Sequence, residues 1–261
     1  PFISKGDING DGKEDLFIGG ASGQPGQLYL QKHNGFEHLE SKVLNNDSGY
    51  EDMESVFFDF DNDNDLDLYV VSGGNAFDSG SSYYTDRLYI NDGKGKFSRW
   101  ESTVLEQNPT SGKTVISIDY DKDGDLDLYV VNYRYDFKNN SKISGEIQSQ
   151  IEEVTSDQLY KNEGDHFTKV TGEAGLHNKA WGLSASIGDF NNDGWDDIYV
   201  ANDFLEPDAM YINQKDGTFK NDINNRLNHI SFNSMGSDYA DLNNDGFLDL
   251  LTVDMLAENY A

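Results

Sequence analysis

Apolar residues recur at every second position in short runs along this chain, and each run breaks at a cluster of aspartate, asparagine and glycine. A period of two marks a half-buried strand. Four runs share one design: LYLQKHNGF (28–36), LYINDGKGKF (88–97), LYKNEGDHF (159–167) and MYINQKDGTF (210–219). An alternating strand enters an Asn/Gly-rich turn and returns to a phenylalanine. This predicts a β-hairpin, because asparagine and glycine offer the positive-φ positions such turns need. Between these runs lie denser stretches of β-formers, such as Leu126–Val131, each entered through an acidic loop. Short strands precede the loops, Val56–Phe58 in the second unit and Val115–Ile118 in the third. One unit therefore reads strand, acidic loop, strand, connection, strand, glycine hairpin, strand.

The unit repeats. Its acidic loops are DINGDGKEDLFIG (7–19), DFDNDNDLDLYVV (59–71), DYDKDGDLDLYVV (119–131), DFNNDGWDDIYVA (189–201) and DLNNDGFLDLLTV (241–253), with opening aspartates 52, 60, 70 and 52 residues apart. Four antiparallel strands repeated at this interval are the pattern of propeller blades. A sandwich has a similar strand rhythm but does not repeat its own sequence. The expected fold is all-β, a β-propeller of four-stranded antiparallel blades in a single domain over 1–261. Complete units are expected at 2–44, 52–105, 113–174 and 180–226, with a partial one at 232–261. Four and a half blades close a ring poorly, so a segment of a longer protein is expected. The connections after each second strand vary most: 19–27, 72–86, 132–157 and 202–209. The insertion at 132–157 carries Ile143, Ile147, Ile151 and Val154 on one helical face, with Ser144 as N-cap and Glu146 in the first turn. Antiparallel strands place the acidic loops at one face of the disc and the variable connections at the other.

Four like charges within nine residues, as in Asp119, Asp121, Asp123 and Asp127, repel one another unless a cation sits among them. Hard oxygens at alternating positions, with glycine for the sharp turn, suit Ca²⁺, whereas Mg²⁺ prefers to keep its waters. The expected ligands are side chains at positions 1, 3, 5 and 9 and the backbone carbonyl at position 7. They are Asp7, Asn9, Asp11, Lys13 and Asp15; Asp59, Asp61, Asp63, Asp65 and Asp67; Asp119, Asp121, Asp123, Asp125 and Asp127; Asp189, Asn191, Asp193, Trp195 and Asp197; and Asp241, Asn243, Asp245, Phe247 and Asp249. Up to five Ca²⁺ are expected. Asn9, Asn191 and Asn243 keep an oxygen but drop a charge, so the loops at 59–67 and 119–127 should bind more tightly. Asn64 stands where the other loops have glycine, and asparagine tolerates the left-handed region. The alternation is like the first half of an EF-hand, but a strand follows where an EF-hand has a helix.

Charge sharpens this picture. The chain holds 48 acidic and 19 basic residues, a formal net charge of -29. Five Ca²⁺ would leave about -19. Such a balance argues against nucleic acid as a partner and against direct docking on an anionic membrane, and no apolar run approaches the ~18 residues that membrane insertion needs. There is no cysteine, hence no disulfide and no thiolate metal site. His33, His38, His166, His177 and His229 share no spacing, and no nucleophile–base arrangement or phosphate cradle is visible. Asp203, Glu206 and Asp208 form an uncommitted acidic cluster that reads as a solvated turn. Phe77, Tyr83, Tyr84, Tyr133, Arg134, Tyr135 and Phe204, with Asp203, lie on the variable connections. Aromatics with arginine are the usual makings of a recognition surface, and packing over the blade tops is the alternative use.

The acidic loop, the LYxNxGxGxF hairpin and the blade rhythm together resemble FG-GAP/VCBS-type repeats, the calcium-binding blades of integrin α-subunit propellers and of many secreted bacterial proteins. The resemblance covers nearly the whole chain. NKAWGLSASIGDFNNDGWDDIYVANDF (178–204) and SMGSDYADLNNDGFLDLLTVDMLAENY (234–260) are most similar to large surface proteins of the Bacteroidota type. It implies seven blades, Ca²⁺ in the loop between strands 1 and 2, and an extracellular or outer-membrane-associated location. It supplies no shared catalytic residue. The expected function is a calcium-stabilised, non-enzymatic cell-surface module that binds protein or glycan. The alternatives are a scaffold subunit of an outer-membrane assembly and a polysaccharide hydrolase or lyase.

Overall fold

The computed structural model describes residues 2–255 apart from 79, 108, 134–155, 204–205 and 232. The helical face expected at 143–154, and Arg134, Tyr135 and Phe204, lie outside the described residues. Four sheets of four antiparallel strands follow one another, each in chain order. The first is β1 (Ile3–Gly6), β2 (Asp15–Ile18), β3 (Gln27–Lys32) and β4 (Gly35–Leu39). The second is β5 (Asp52–Phe58), β6 (Asp67–Ser72), β7 (Arg87–Ile90) and β8 (Ser98–Trp100). The third is β9 (Gly112–Ile118), β10 (Asp127–Asn132), β11 (Gln158–Asn162) and β12 (Phe167–Lys169). The fourth is β13 (Gly182–Gly188), β14 (Asp197–Asn202), β15 (Ala209–Asn213) and β16 (Phe219–Asn221). A fifth sheet holds β17 (Ser234–Ala240) and β18 (Asp249–Asp254).

The first strands β1, β5, β9, β13 and β17 run side by side in that order. They are longer than apolar patterning predicts, since β5 begins at Asp52 rather than Val56. Serines recur along these strands where they approach one another closely. Ser4 Oγ donates to the Ser55 carbonyl at 2.8 Å, and Ser186 and Ser237 share a hydroxyl hydrogen bond at 2.9 Å. The second strands β6, β10 and β14 are buried at every residue. The apolar core lies between neighbouring sheets: Phe60, Tyr69 and Val71 of the second pack with Leu128, Val130, Tyr160 and Phe167 of the third. Equivalent layers join the first sheet to the second and the third to the fourth. This is a propeller-type arrangement of blades. On β18 the corresponding positions are open, with Leu251 and Val253 55% and 54% exposed.

Candidate metal centres

Each acidic loop links the first two strands of a sheet, and its tight path needs two left-handed residues. The fourth position has φ of 61° at Asn62 and at Lys122. The sixth has φ of 69° at Asn64 and 100° at Gly124. The expected tolerance of Asn64 agrees with this geometry. The second left-handed site was not anticipated, because Lys122 occupies it in the third loop. The Lys122 ammonium donates to the Gly194 carbonyl of the next loop and lies 4.7 Å from the Trp195 ring centroid.

The ninth-position aspartate is the deepest loop residue in the first four units, with Asp15, Asp67, Asp127 and Asp197 fully buried. One oxygen accepts from the amide at position 2: Phe60 N to Asp67 at 3.0 Å and Tyr120 N to Asp127 at 3.3 Å. The other accepts from the end of the third strand: Asn91 N to Asp67 and Asn162 N to Asp127, both 2.8 Å. This carboxylate pins the loop to the hairpin of its own sheet. Burial pushes the carboxyls of Asp67, Asp127 and Asp197 up to about 7, 8 and 6.

The hairpin asparagine then reaches the preceding unit. The amide nitrogens of Asn91, Asn162 and Asn213 donate to the carbonyls of Ile8, Phe60 and Tyr120 at 2.9, 2.8 and 2.8 Å. Each acidic loop among the first three is thus clamped by the hairpin of the following sheet. Patterning assigned these asparagines to turn formation. The hairpins instead place their positive φ at Gly93, Gly95, Gly164, Lys215 and Gly217.

Two loops bring three carboxylates within 4.8 Å of one another: Asp59, Asp61 and Asp67, and Asp119, Asp121 and Asp127. These are positions 1, 3 and 9 of the two four-aspartate loops. Position 5 stands apart, its carboxylate accepting from the amide at position 7: Asp65 N to Asp63 at 3.0 Å and Asp125 N to Asp123 at 2.9 Å. In the asparagine-bearing loops the first carboxylate is satisfied by backbone. Asp7 accepts from Asp11 N at 3.1 Å and Gly12 N at 2.7 Å, and Asp189 from Asp193 N at 2.9 Å and Gly194 N at 2.7 Å. In the other two loops one oxygen of the first aspartate, Asp59 Oδ1 and Asp119 Oδ1, is buried with no hydrogen-bond partner, as is Asp65 Oδ1. A buried carboxylate oxygen left unpaired is costly. An all-oxygen donor set with such orphans fits a hard divalent cation, and either cluster could hold one.

The two clusters differ in their surroundings. Burial, and then the neighbouring carboxylates of Asp63, Asp61, Asp59 and Asp92, push Asp65 up to about 6. In the third loop the Lys161 ammonium contacts Asp121 and lies 3.0 Å from Asp123 Oδ2. Hydrogen bonding to Asp121 raises the Lys161 pKa. A cation entering this loop meets a resident positive charge, which counting aspartates in the sequence did not register.

The aromatics expected on the far connections divide. Tyr83 is exposed and stacks on Phe77 with ring centroids 4.6 Å apart. Tyr84 is buried, and its hydroxyl donates to the Phe77 carbonyl at 2.7 Å. It holds the connection together and presents no surface. Tyr133 lies 5.5 Å from the Trp181 ring. Asp208, read as part of a solvated turn, is in fact buried and accepts from Asn202 N at 2.8 Å and from Ser234 at 2.6 Å.

Repeated four-stranded antiparallel sheets, each entered through an acidic loop, define a propeller-type repeat protein. The model of the FG-GAP-like repeat matches residues 7–70, 71–130, 152–200 and 189–252, and the chain belongs to this family. Cartilage acidic protein 1 of Xenopus tropicalis is 24% identical over 263 residues, an alignment covering 94% of this chain and 38% of that protein. An Agrocybe aegerita lectin, solved for its specific recognition of non-reducing terminal N-acetylglucosamine, superposes with a TM-score of 0.56 at 15% identity. That match covers 96% of this chain and 60% of the lectin chain. The chain thus spans less than two thirds of either protein. These names point to repeat and binding modules rather than to enzymes. No helix among the described residues is long and apolar enough to cross a membrane.

Proposed function

We propose that this chain is a calcium-stapled, non-enzymatic binding module of an extracellular or cell-surface protein. Calcium occupies the loops at 59–67 and 119–127 first, and the loops at 7–15, 189–197 and 241–249 more weakly. The blades form part of a larger propeller, and a partner protein or glycan engages the connections away from the metal loops. The narrower expectation of a bacterial outer-membrane setting rests on sequence resemblance alone, since the curated relative is a frog protein.

One observation carries the assignment of the binding face. The exposed Tyr83 stacks on Phe77 on a connection that the stapling of strands does not require. Exposed, rigid aromatic pairs on loops are favoured contact residues. Glycan recognition by a lectin of this fold supports the glycan arm of the reading.

A glycan array and a pull-down in excess Ca²⁺ identify the partner, and hydrogen–deuterium exchange maps it. Protection is expected at 77–84 and around Tyr133. Tyr83→Ala should weaken binding about tenfold while the calcium-dependent melting temperature stays unchanged. Protection confined to the acidic loops would overturn the assignment of faces.

A further inference from the structure

A half-open cavity of about 280 Å³ lies where β5, β9, β13 and β17 begin, at the end remote from the metal loops. Its wall is built by a repeated irregularity. The ladder between the first and second strands shifts register between Asp52 and Glu54, Gly182 and Ser184, and Ser234 and Gly236. The same shift occurs opposite Val131 and Asn132 in the third sheet. The extra residues are Met53, Lys113, Leu183 and Met235, and all four line the cavity. A β-bulge re-aims a side chain, and bulges at matching places in consecutive sheets aim theirs at one point.

Three of these residues are apolar and the fourth is a lysine. Lys113 makes no hydrogen bond and no ion pair within 4 Å to a described residue. Glu54 on the adjoining strand β5, its carboxyl raised by burial, feels the Lys113 charge but lies outside the lining. Asp203 lines the same cavity, fixed through its own amide to the Trp181 carbonyl at 2.8 Å, and it forms no ion pair with Lys113. Tyr133 lies beside it, its hydroxyl pushed up from its ordinary value by burial and then by Asp203. The cavity thus offers one cation and one anion, unpaired with each other, and an apolar wall of methionine, leucine and tyrosine.

We propose that this cavity binds a small zwitterion with an apolar body, a free α-amino acid of the leucine or methionine type. The ligand carboxylate faces Lys113, its ammonium faces Asp203, and its side chain rests on the bulge residues. A ligand of single charge would meet only one of the two opposite charges in the lining, whereas a zwitterion meets both. The volume lies at the small end of ligand cavities, about 300–1,000 Å³, which suits one amino acid and not an oligosaccharide. Tyr133 lines this cavity and also borders the proposed partner face, whereas Phe77 and Tyr83 do not line it, so Tyr83→Ala tests that face alone and Lys113→Met tests this cavity alone.

The test is saturation-transfer NMR and calorimetry on the chain in excess Ca²⁺, with free leucine, N-acetylleucinamide, glucose and glucuronate as probes. Leucine should bind, and N-acetylleucinamide, which lacks both charges, should bind about tenfold more weakly or not at all. Lys113→Met installs the residue type found at two other bulges, so it should melt like the native chain and lose about tenfold in leucine affinity. Asp203→Asn should do the same. The proposal is overturned if leucine fails to bind at about 10 mM. It is equally overturned if glucose or glucuronate binds in its place, or if Lys113→Met binds leucine as well as the native chain does.

Discussion

A tyrosine hydroxyl and a buried carboxylate tie the second strand of three sheets to the start of the third. Tyr69 donates to Asp86 at 2.8 Å, Tyr129 to Asp157 at 2.7 Å, and Tyr199 to Asp208. Each carboxylate also accepts from the last amide of the second strand, Ser72, Asn132 or Asn202, at 2.8 Å. The first sheet lacks the pair as a unit: Phe17 replaces the tyrosine and Gly26 the aspartate. A Cβ on Gly26 would come within 2.6 Å of the Phe17 ring. The tyrosines and aspartates were plain in the sequence, but their pairing was not, because the partners are 17, 28 and 9 residues apart. Burial pushes the Asp86 carboxyl up to about 7 from 3.8. The folded chain therefore holds this proton more tightly than the unfolded chain. The group's contribution to stability is full below pH about 4 and is lost as pH rises through about 7. Asparagine cannot titrate. The stability of Asp86→Asn relative to the native chain should therefore rise across that window, measured by urea unfolding at fixed excess Ca²⁺. A pH-independent difference would mean that Asp86 carries no raised pKa.

The acidic loop is the element whose reading from sequence went furthest. Spacing located all five loops, and the division into four-aspartate and asparagine-bearing types matches a structural difference. Among the described residues, only loops 59–67 and 119–127 gather three carboxylates and leave a first-position oxygen orphaned. The setting of the loops was not legible. The clamps from Asn91, Asn162 and Asn213 come from the next unit, 83 to 102 residues away, and no local pattern announces them. Nor did the apolar alternation reveal the early part of the first strands, because register shifts at Met53, Lys113, Leu183 and Met235 interrupt the period of two there. Among the described residues no lysine pairs with the loop at 59–67, so it isolates the effect of ligand charge. Asp61→Ala should abolish the calcium-dependent stabilisation from that loop, about 2.7 kcal/mol at 100 times the Kd. Asn191→Ala, at the same position of an asparagine-bearing loop, should cost clearly less. Equal losses in thermal melts at millimolar Ca²⁺ would show that carboxylate number does not set occupancy.

At the scale of the molecule, the sheets join through two systems at different depths. Apolar layers fill the space between neighbours, and the acidic loops link around one rim. Asn62 donates to Asp125 of the next loop at 2.8 Å, and Lys122 reaches the loop after that. A net charge of -29 opposes this assembly, and the crowding is greatest where the loops meet. Cations held at the two carboxylate clusters would relieve it locally and pin strands that the hairpin clamps already hold. Several sites, each contributing about 2–3 kcal/mol when well filled, are comparable with the whole stability of a domain, about 5–15 kcal/mol. The most direct test is a calorimetric titration of the chelator-stripped chain with Ca²⁺, paired with its thermal melt. Calcium stapling predicts at least two tight sites, weaker binding beyond them, and a melting temperature that climbs with Ca²⁺ and does so less with Mg²⁺. An unchanged melting temperature on verified metal removal, or no saturable binding of Ca²⁺, would contradict it.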